Sequence, residues 1–540
     1  MTAANDLYRD GLARGWQVLG GRHEGARPLP ARLDCDVAIV GSGAGAGISA
    51  ELLARAGLSV VIVEEGPLKT SRDFRQLERD AYPQLYQESA ARKTADKAVT
   101  ILQGRCVGGS TTVNWTSCFR TPDETLAYWQ RRFGLADCTP QALAPWFEQA
   151  ERRLGIEPWR VAPNENNDLL ARGAAKLGIA AATIQRNVKQ CWNLGSCGLG
   201  CPTNAKQSML VTTIPAALER GARLLVETRA QAFELDGDRI AALEAVPVEP
   251  DGRASAAPGV RIVAKHYVLA AGAIHSPALL LRSGAPDPHG LLGTRTFLHP
   301  VVISAALFDQ KVEGWAGAPQ TVYSDHFLGV DPIDGPIGYK LEAPPLHPVL
   351  SATTLAGYGL EQAALLKQFP NIHALLALLR DGFHADAPGG RVTLRGDGSP
   401  LLDYPLTAFV MDGARRALLS MAEIQFAAGA REVRPVHELA RGYRSWTEAR
   451  AEIAALPMKP LLTRVVSAHV MGGCAMAGDA VRGVVRPDGL HWQIGNLSVH
   501  DGSIFPTSVG TNPQLSIYGL VARLASGLAQ RLGGRVEALA

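Results

Sequence analysis

Residues 34–65 read DCDVAIVGSGAGAGISAELLARAGLSVVIVEE. Residues 34–40 have the length and apolar run of a buried strand. Residues 41–47 are a glycine-rich turn, residues 48–56 carry a helical stretch, and Gly57 closes it. Residues 58–65 form a second apolar, β-branched run. Strand, glycine turn, helix and strand in this order build a βαβ unit, the context in which such glycines bind a dinucleotide. Gly41 permits the tight turn, and Gly43 lets the backbone approach a pyrophosphate. Ala46 holds the third position, where a small residue allows close helix–strand packing. The phosphates then sit against Ser42, Ala44 and Gly45 at the helix start, where free N–H groups and the helix dipole favour an anion. Glu64 ends the second strand about 20 residues on, placed to accept from a ribose hydroxyl, with Glu65 as the neighbouring alternative. Both NAD and FAD satisfy this unit.

A chain of 540 residues is too long for one core, so two lobes are expected. Its 54 basic and 51 acidic residues leave a net charge of +3, which gives no footprint for a nucleic acid. The longest apolar runs, such as ALLALL at 374–379, are too short to span a bilayer, so no transmembrane segment is expected. The opening MTAANDLYRDGLARGW has neither a basic n-region nor an apolar h-region, and eight cysteines are too few for a disulfide scaffold. These features point to the cytoplasm, and leave export with a partner or peripheral membrane association open. Leu7, Tyr8, Leu12, Trp16 and Leu19 recur at helical spacing, which predicts an amphipathic helix packed on the protein's own body.

Four further stretches share one pattern. They are GRCVGGSTTVN at 104–114, LAAGAIHSP at 269–277 continuing to Ser283 and Gly284, SAHVMGGC at 467–474, and a C-terminal segment. The last comprises Asp501, Gly502 and Ser503, then Pro506 and Thr507, then GTNP at 510–513. In this order they resemble the glucose–methanol–choline (GMC) oxidoreductases, flavoenzymes that oxidise alcohols. The GTNP segment with SIYGLVARLA at 516–525, and GCPTNAKQS at 200–208, are similar to the long-chain alcohol oxidase and dehydrogenase branch.

The resemblance implies an α/β fold: a Rossmann-like FAD-binding domain with an inserted substrate domain built on an antiparallel sheet. On that template residues 1–30 are a helical extension, and 31–120, 205–300 and 465–540 form the FAD domain. Residues 121–204 and 301–464 form the cap and substrate regions. The Pro-, Gly- and Ala-rich stretch 244–260 reads as a surface hairpin. The family template also assigns Arg105, Gly108, Gly109, Ser110, Asn114, Ala271, Gly272, Asp501, Gly502, Asn512 and Pro513 to the cofactor site. Val113 stands where several relatives carry a histidine bonded to FAD, so the cofactor is expected to be non-covalent.

Oxidising an alcohol requires a base for the O–H proton and alignment of the C–H hydride with flavin N5. Histidine suits the first task because its pKa lies near operating pH. His469 occupies the family's base position, and Asn512 a second position that relatives fill with His or Asn. Asn512 donates or accepts but does not titrate, so one base is expected; capping the helix that follows Pro513 is an alternative role. The apolar stretch 355–379 fits either a channel wall or helices packed on the sheet. The branch resemblance favours a long or apolar primary alcohol.

CWNLGSCGLGCP at 191–202 places Cys191, Cys197 and Cys201 in a C-x5-C-x3-C spacing. Zinc normally takes four ligands, and no fourth Cys or His lies in the segment. Three thiolates suit an iron–sulfur centre, and the spacing resembles that of sugar and polyol dehydrogenases of this family that carry a [3Fe–4S] cluster and a small partner subunit. Cluster and structural thiols stay open together, and with them the acceptor: quinone, cytochrome or O2. A hydroxynitrile lyase, which keeps FAD and a His base, is the alternative of another class.

Overall fold

The computed structural model describes residues 6–539. The strand Arg32–Val40 ends in four consecutive buried residues, a run that suits a strand covered on both faces. It lies in the middle of an eight-stranded sheet, parallel to Val60–Val63 on one side and to Val260–Leu269 on the other. Beyond Val60–Val63 come Arg223–Leu225 and Gln17–Leu19, also parallel. Beyond Val260–Leu269 the antiparallel hairpin Thr228–Asp236 and Arg239–Pro247 closes that edge, while Leu497–Val499 pairs beside Tyr267–Leu269. Past Pro247 the chain turns back through mostly exposed residues into Val260–Leu269.

The helix Ala44–Arg55 rises from the first strand with residues 45–54 all buried. The helices Gln514–Arg531 and Thr213–Leu218 pack against it. Gly41 turns the chain with φ of 100°, and a Cβ there would stand 2.4 Å from the Ala270 carbonyl oxygen. The tightest approach on the helix falls at Gly45 rather than at Ala46: a Cβ on Gly45 would sit 1.7 Å from the His500 carbonyl oxygen.

The second large sheet runs Val99–Ile101, Val465–Ser467, Val301–Leu307, Ile372–Leu379, Tyr339–Glu342, Val322–Ser324, Ala182–Thr183, with Glu432–Pro435 on Val301–Leu307. Only the first pair is parallel. The helix Ala408–Ala428 covers it, and each large sheet has its own apolar core.

Two expectations are corrected. The N-terminal helix stops at Ala13, because Gly15 takes a φ of 106° and turns the chain. Trp16 instead packs edge-on against Tyr8 at 5.5 Å, and Leu19 joins a strand. Within 355–379, the segment Gly359–Leu366 is helical but Ile372–Leu379 is a central strand. Leu and Ala favour helix locally, yet pairing on both edges and burial override that preference.

Gly45→Ala should lower stability by on the order of 1–3 kcal/mol, since backbone and not a flexible side chain opposes the new methyl. Thermal unfolding of the two proteins checks this; equal Tm values would show that the helix shifts freely.

Candidate active site

A cleft of about 1670 Å³, its open mouth included, runs along the carboxyl ends of the parallel strands. One end is lined by residues 41–45, which form the turn and helix start. Gly43 caps the helix without a side-chain bond, leaving the first N–H groups free toward the cleft. Glu64 and Glu65 line the same region. The Glu64 carboxylate accepts from Ser42 N at 3.1 Å, Ser42 Oγ at 2.5 Å and Gly66 N at 2.6 Å, so it braces the glycine turn. Burial pushes its pKa up to about 7 against these bonds. Thr228, Arg229 and Ala230 extend this wall, a contribution that no motif announced.

Gly109, Ser110 and Asn114 form one side of the cleft, and Ala271, Gly272, Asp501 and Gly502 the other. Asp501 accepts from Gly272 N at 2.8 Å, Ser276 Oγ at 2.5 Å and Ser503 N at 2.8 Å, tying the C-terminal segment to the helix Gly272–Arg282. Three residues assigned to the cofactor site do not line the cleft. Ala46 is packed in the core, Arg105 is spent on Glu65 at 2.9 Å, and Gly108 donates its amide to Ser42 Oγ at 2.9 Å.

His469, Asn512 and Pro513 line the cleft together. His469 Nδ1 lies 3.1 Å from Nδ1 of His299, whose own amide is held by Asp381 at 3.1 Å. The two rings are stacked, with centroids 5.3 Å apart. Loss of hydration, reinforced by the charge of Lys340, pushes His469 down to about 3 and keeps it neutral. Asn512 does not cap the helix Gln514–Arg531: Pro513 stands at that position, with no side-chain cap bond. Its amide instead meets Lys340 and Glu342, two charged residues alternating in the buried strand Tyr339–Glu342. That alternation of opposite charges in a buried strand was the available signal. His299 carried none beyond being one of thirteen histidines.

Of the two readings left open for the three-cysteine loop, the structure gives no support to a ligand set. Among the described residues no group of three His, Cys, Asp or Glu is placed to hold a metal ion. Each sulfur has a partner of its own: Asn193 N for Cys191 at 3.4 Å, Arg186 Nη2 for Cys197 at 3.7 Å, and Thr203 Oγ1 for Cys201 at 3.4 Å. The loop is pinned by buried Lys206, which donates to the carbonyls of Thr112, Asn114 and Cys197 at 2.9, 2.6 and 2.7 Å.

Models of the GMC oxidoreductase family match residues 82–301 and 386–520. The chain belongs to the GMC oxidoreductase family. An uncharacterized GMC-type oxidoreductase of Mycobacterium tuberculosis is 32% identical over 93% of this chain and 79% of its own. A long-chain-alcohol oxidase of Arabidopsis thaliana is 28% identical over 91% of this chain and 68% of its own. Pyridoxine 4-oxidase from Mesorbium loti superposes with a TM-score of 0.67 at 19% identity, covering 91% of this chain and 98% of that structure. A formate oxidase gives 0.69 at 14% identity, covering 93% and 100%.

As a GMC oxidoreductase it is an FAD-dependent enzyme acting on CH–OH donors. The cleft fits the cofactor on its own terms. Its glycine turn ends in uncapped helical N–H groups, and Trp115, on the wall, has a buried Nε1 without a partner in the protein. No helix among the described residues is long and apolar enough to cross a membrane.

Lys206→Met should leave the three carbonyls without their donor, at about 1–3 kcal/mol for each group left buried and unpaired. Tm and bound FAD per chain should fall together. Wild-type values of both would mean that the loop holds without its pin.

Proposed function

We propose that this GMC oxidoreductase converts a long-chain or apolar primary alcohol to its aldehyde, with His469 as the base and Asn512 as the partner of the substrate oxygen. The observation that carries this reading is the placement of both side chains on one cleft with the glycine turn. FAD would be held by residues 41–45 at its pyrophosphate and by Glu64 at its ribose, with Ser110 and Asn114 further along. When bound, it supplies the acceptor for the hydride of the carbinol carbon, and the electrons pass on to an acceptor such as O2. Val113 also lines the cleft, and a valine cannot bond covalently to the cofactor.

His469 acts through Nε2, because Nδ1 is turned to His299. A lone pair on Nε2 requires the hydrogen on Nδ1, donated to His299 Nδ1; the opposite tautomer would present a donor to the cleft. His299 thus holds the ring, and its Nδ1 accepts that hydrogen in the tautomer in which His469 can take the alcohol's proton. The apolar character of the substrate is supported by Leu102, Trp115, Val470 and Ile517 on the cleft wall and by the long-chain-alcohol oxidases among the relatives. None of residues 355–379 lines the cleft, so that stretch does not support it. Without an assembled thiol set, the relay through a cluster and partner subunit has no ligand to rest on.

Anaerobic mixing with alcohol, followed by bleaching of the bound flavin, tests the reaction itself. His469→Ala should slow bleaching by on the order of 10²–10⁴-fold with FAD retained, the usual worth of a general base. Since His469 is held near 3, it stays neutral as pH falls from 8 to 5 and should itself contribute no acid limb to kcat/KM there. An acid limb near pH 6.5 that is lost in the variant would show the ring titrating at its ordinary value and overturn its depressed pKa, whereas bleaching of the variant at wild-type rate would remove His469 from the role. No bleaching by any alcohol would favour a lyase.

Across a linear series, kcat/KM should rise by about fourfold for each methylene that the cleft buries, at ~0.8 kcal/mol per CH₂. Dodecanol should therefore far exceed sorbitol. A preference for the polyol would overturn the substrate class.

A further inference from the structure

Lys340 and Glu342 project from the same face of the strand Tyr339–Glu342, with side chains only 1% and 0% exposed and their charges 3.4 Å apart. The ammonium donates to Thr511 Oγ1 at 3.1 Å and to Asn512 Oδ1 at 3.3 Å, and packs over the rings of Phe119 and Tyr323, 2.8 and 4.4 Å from their centroids. Glu342 Oε2 accepts from Asn512 Nδ2 at 3.4 Å. Neither charged residue lines the cleft; Asn512 does.

Sheet stability does not explain such a pair. Two charges stripped of water are no better for stability than two apolar side chains of similar volume, and often worse. What the pair does have is opposite charges at the two ends of one amide. A flipped Asn512 would set its NH₂ against the ammonium and its carbonyl against the carboxylate.

We propose that Lys340 and Glu342 are a positioning pair that locks the Asn512 amide in one orientation, so that it offers an N–H, and not a carbonyl, to the substrate oxygen. This rests on the reading of Asn512 as that oxygen's partner. The locked orientation settles the direction of every hydrogen bond at the reacting group. One Nδ2 hydrogen goes to Glu342, and the other is left for the alcohol oxygen, which must then spend its own hydrogen on His469 Nε2. A flipped amide would compete with His469 for that same hydrogen. When protonated, Lys340 also helps through its charge to keep the His469 imidazole neutral, while burial pulls Lys340 itself down to about 7.

The test is Lys340→Met/Glu342→Leu, which removes both charges at once and leaves no unpaired ion. Equilibrium binding of 2-dodecanone to the oxidised holoenzyme reads the amide alone, because a ketone oxygen accepts and cannot donate. The double variant should keep its Tm and FAD content, bind the ketone about tenfold more weakly, and reduce its flavin at least tenfold more slowly. Asn512→Ala should cost little more in that background than the pair already cost. Wild-type ketone affinity in the folded double variant would overturn the proposal. If it does not fold, Glu342→Gln replaces the carboxylate with a group that can face Asn512 either way, and unchanged ketone affinity there overturns the proposal equally. If Asn512→Ala in the wild-type background alters neither ketone binding nor flavin reduction, the underlying role of Asn512 fails instead.

Discussion

The close approach of backbone to backbone around the glycine turn is the constraint on which the rest of the molecule depends. At Gly41 a Cβ would strike the Ala270 carbonyl, and at Gly45 it would overlap that of His500. The helix Ala44–Arg55 therefore starts flush against the ends of two other strands. That seating turns its free N–H groups into the cleft and brings the segment after Leu497–Val499 alongside them. Asp501 then clasps the start of the helix Gly272–Arg282, so three distant stretches of chain share one wall.

Buried polar groups brace that wall and the elements beside it. Glu64 braces the turn, Lys206 ties the 104–114 segment to the cysteine loop, and Asp381 holds the amides of Leu298 and His299. Buried polar groups that satisfy one another act as a rigid frame, because loss of any partner leaves another desolvated and unpaired. His469 and Asn512 stand at the inner edge of this frame. The protein engages one ring nitrogen of His469 and both ends of the Asn512 amide, which leaves the second ring nitrogen and one amide hydrogen for the cleft.

Much of this was legible in local patterns. The βαβ unit around residues 34–65 could be read because its turn chemistry, its two apolar strands and its helix all lie within one short window. His469 and Asn512 could be located because each sits inside a motif. The misreadings have physical causes of the same kind. Periodicity placed Trp16 and Leu19 on a helix that Gly15 ends, and composition made residues 372–379 look helical although they pair on both edges. Cysteine spacing suggested a ligand set, yet spacing along a chain does not determine where sulfurs point, and each thiol found its own partner.

The sequence by itself determined the family, the glycine turn and two residues, His469 and Asn512, that line the cleft. Those depend on residue type at short spacing, and short-range sterics and turn geometry enforce them. Only the tertiary structure decided what surrounds those residues: the His299 ring against His469, the Lys340–Glu342 pair at Asn512, and the Lys206 pin beneath the cysteine loop. Apart from the bond between Lys206 and Cys197, nine positions apart, these contacts join residues from about 90 to 170 positions apart. No local pattern records such pairings, because burial and hydrogen-bond satisfaction select them only once both sheets are in place.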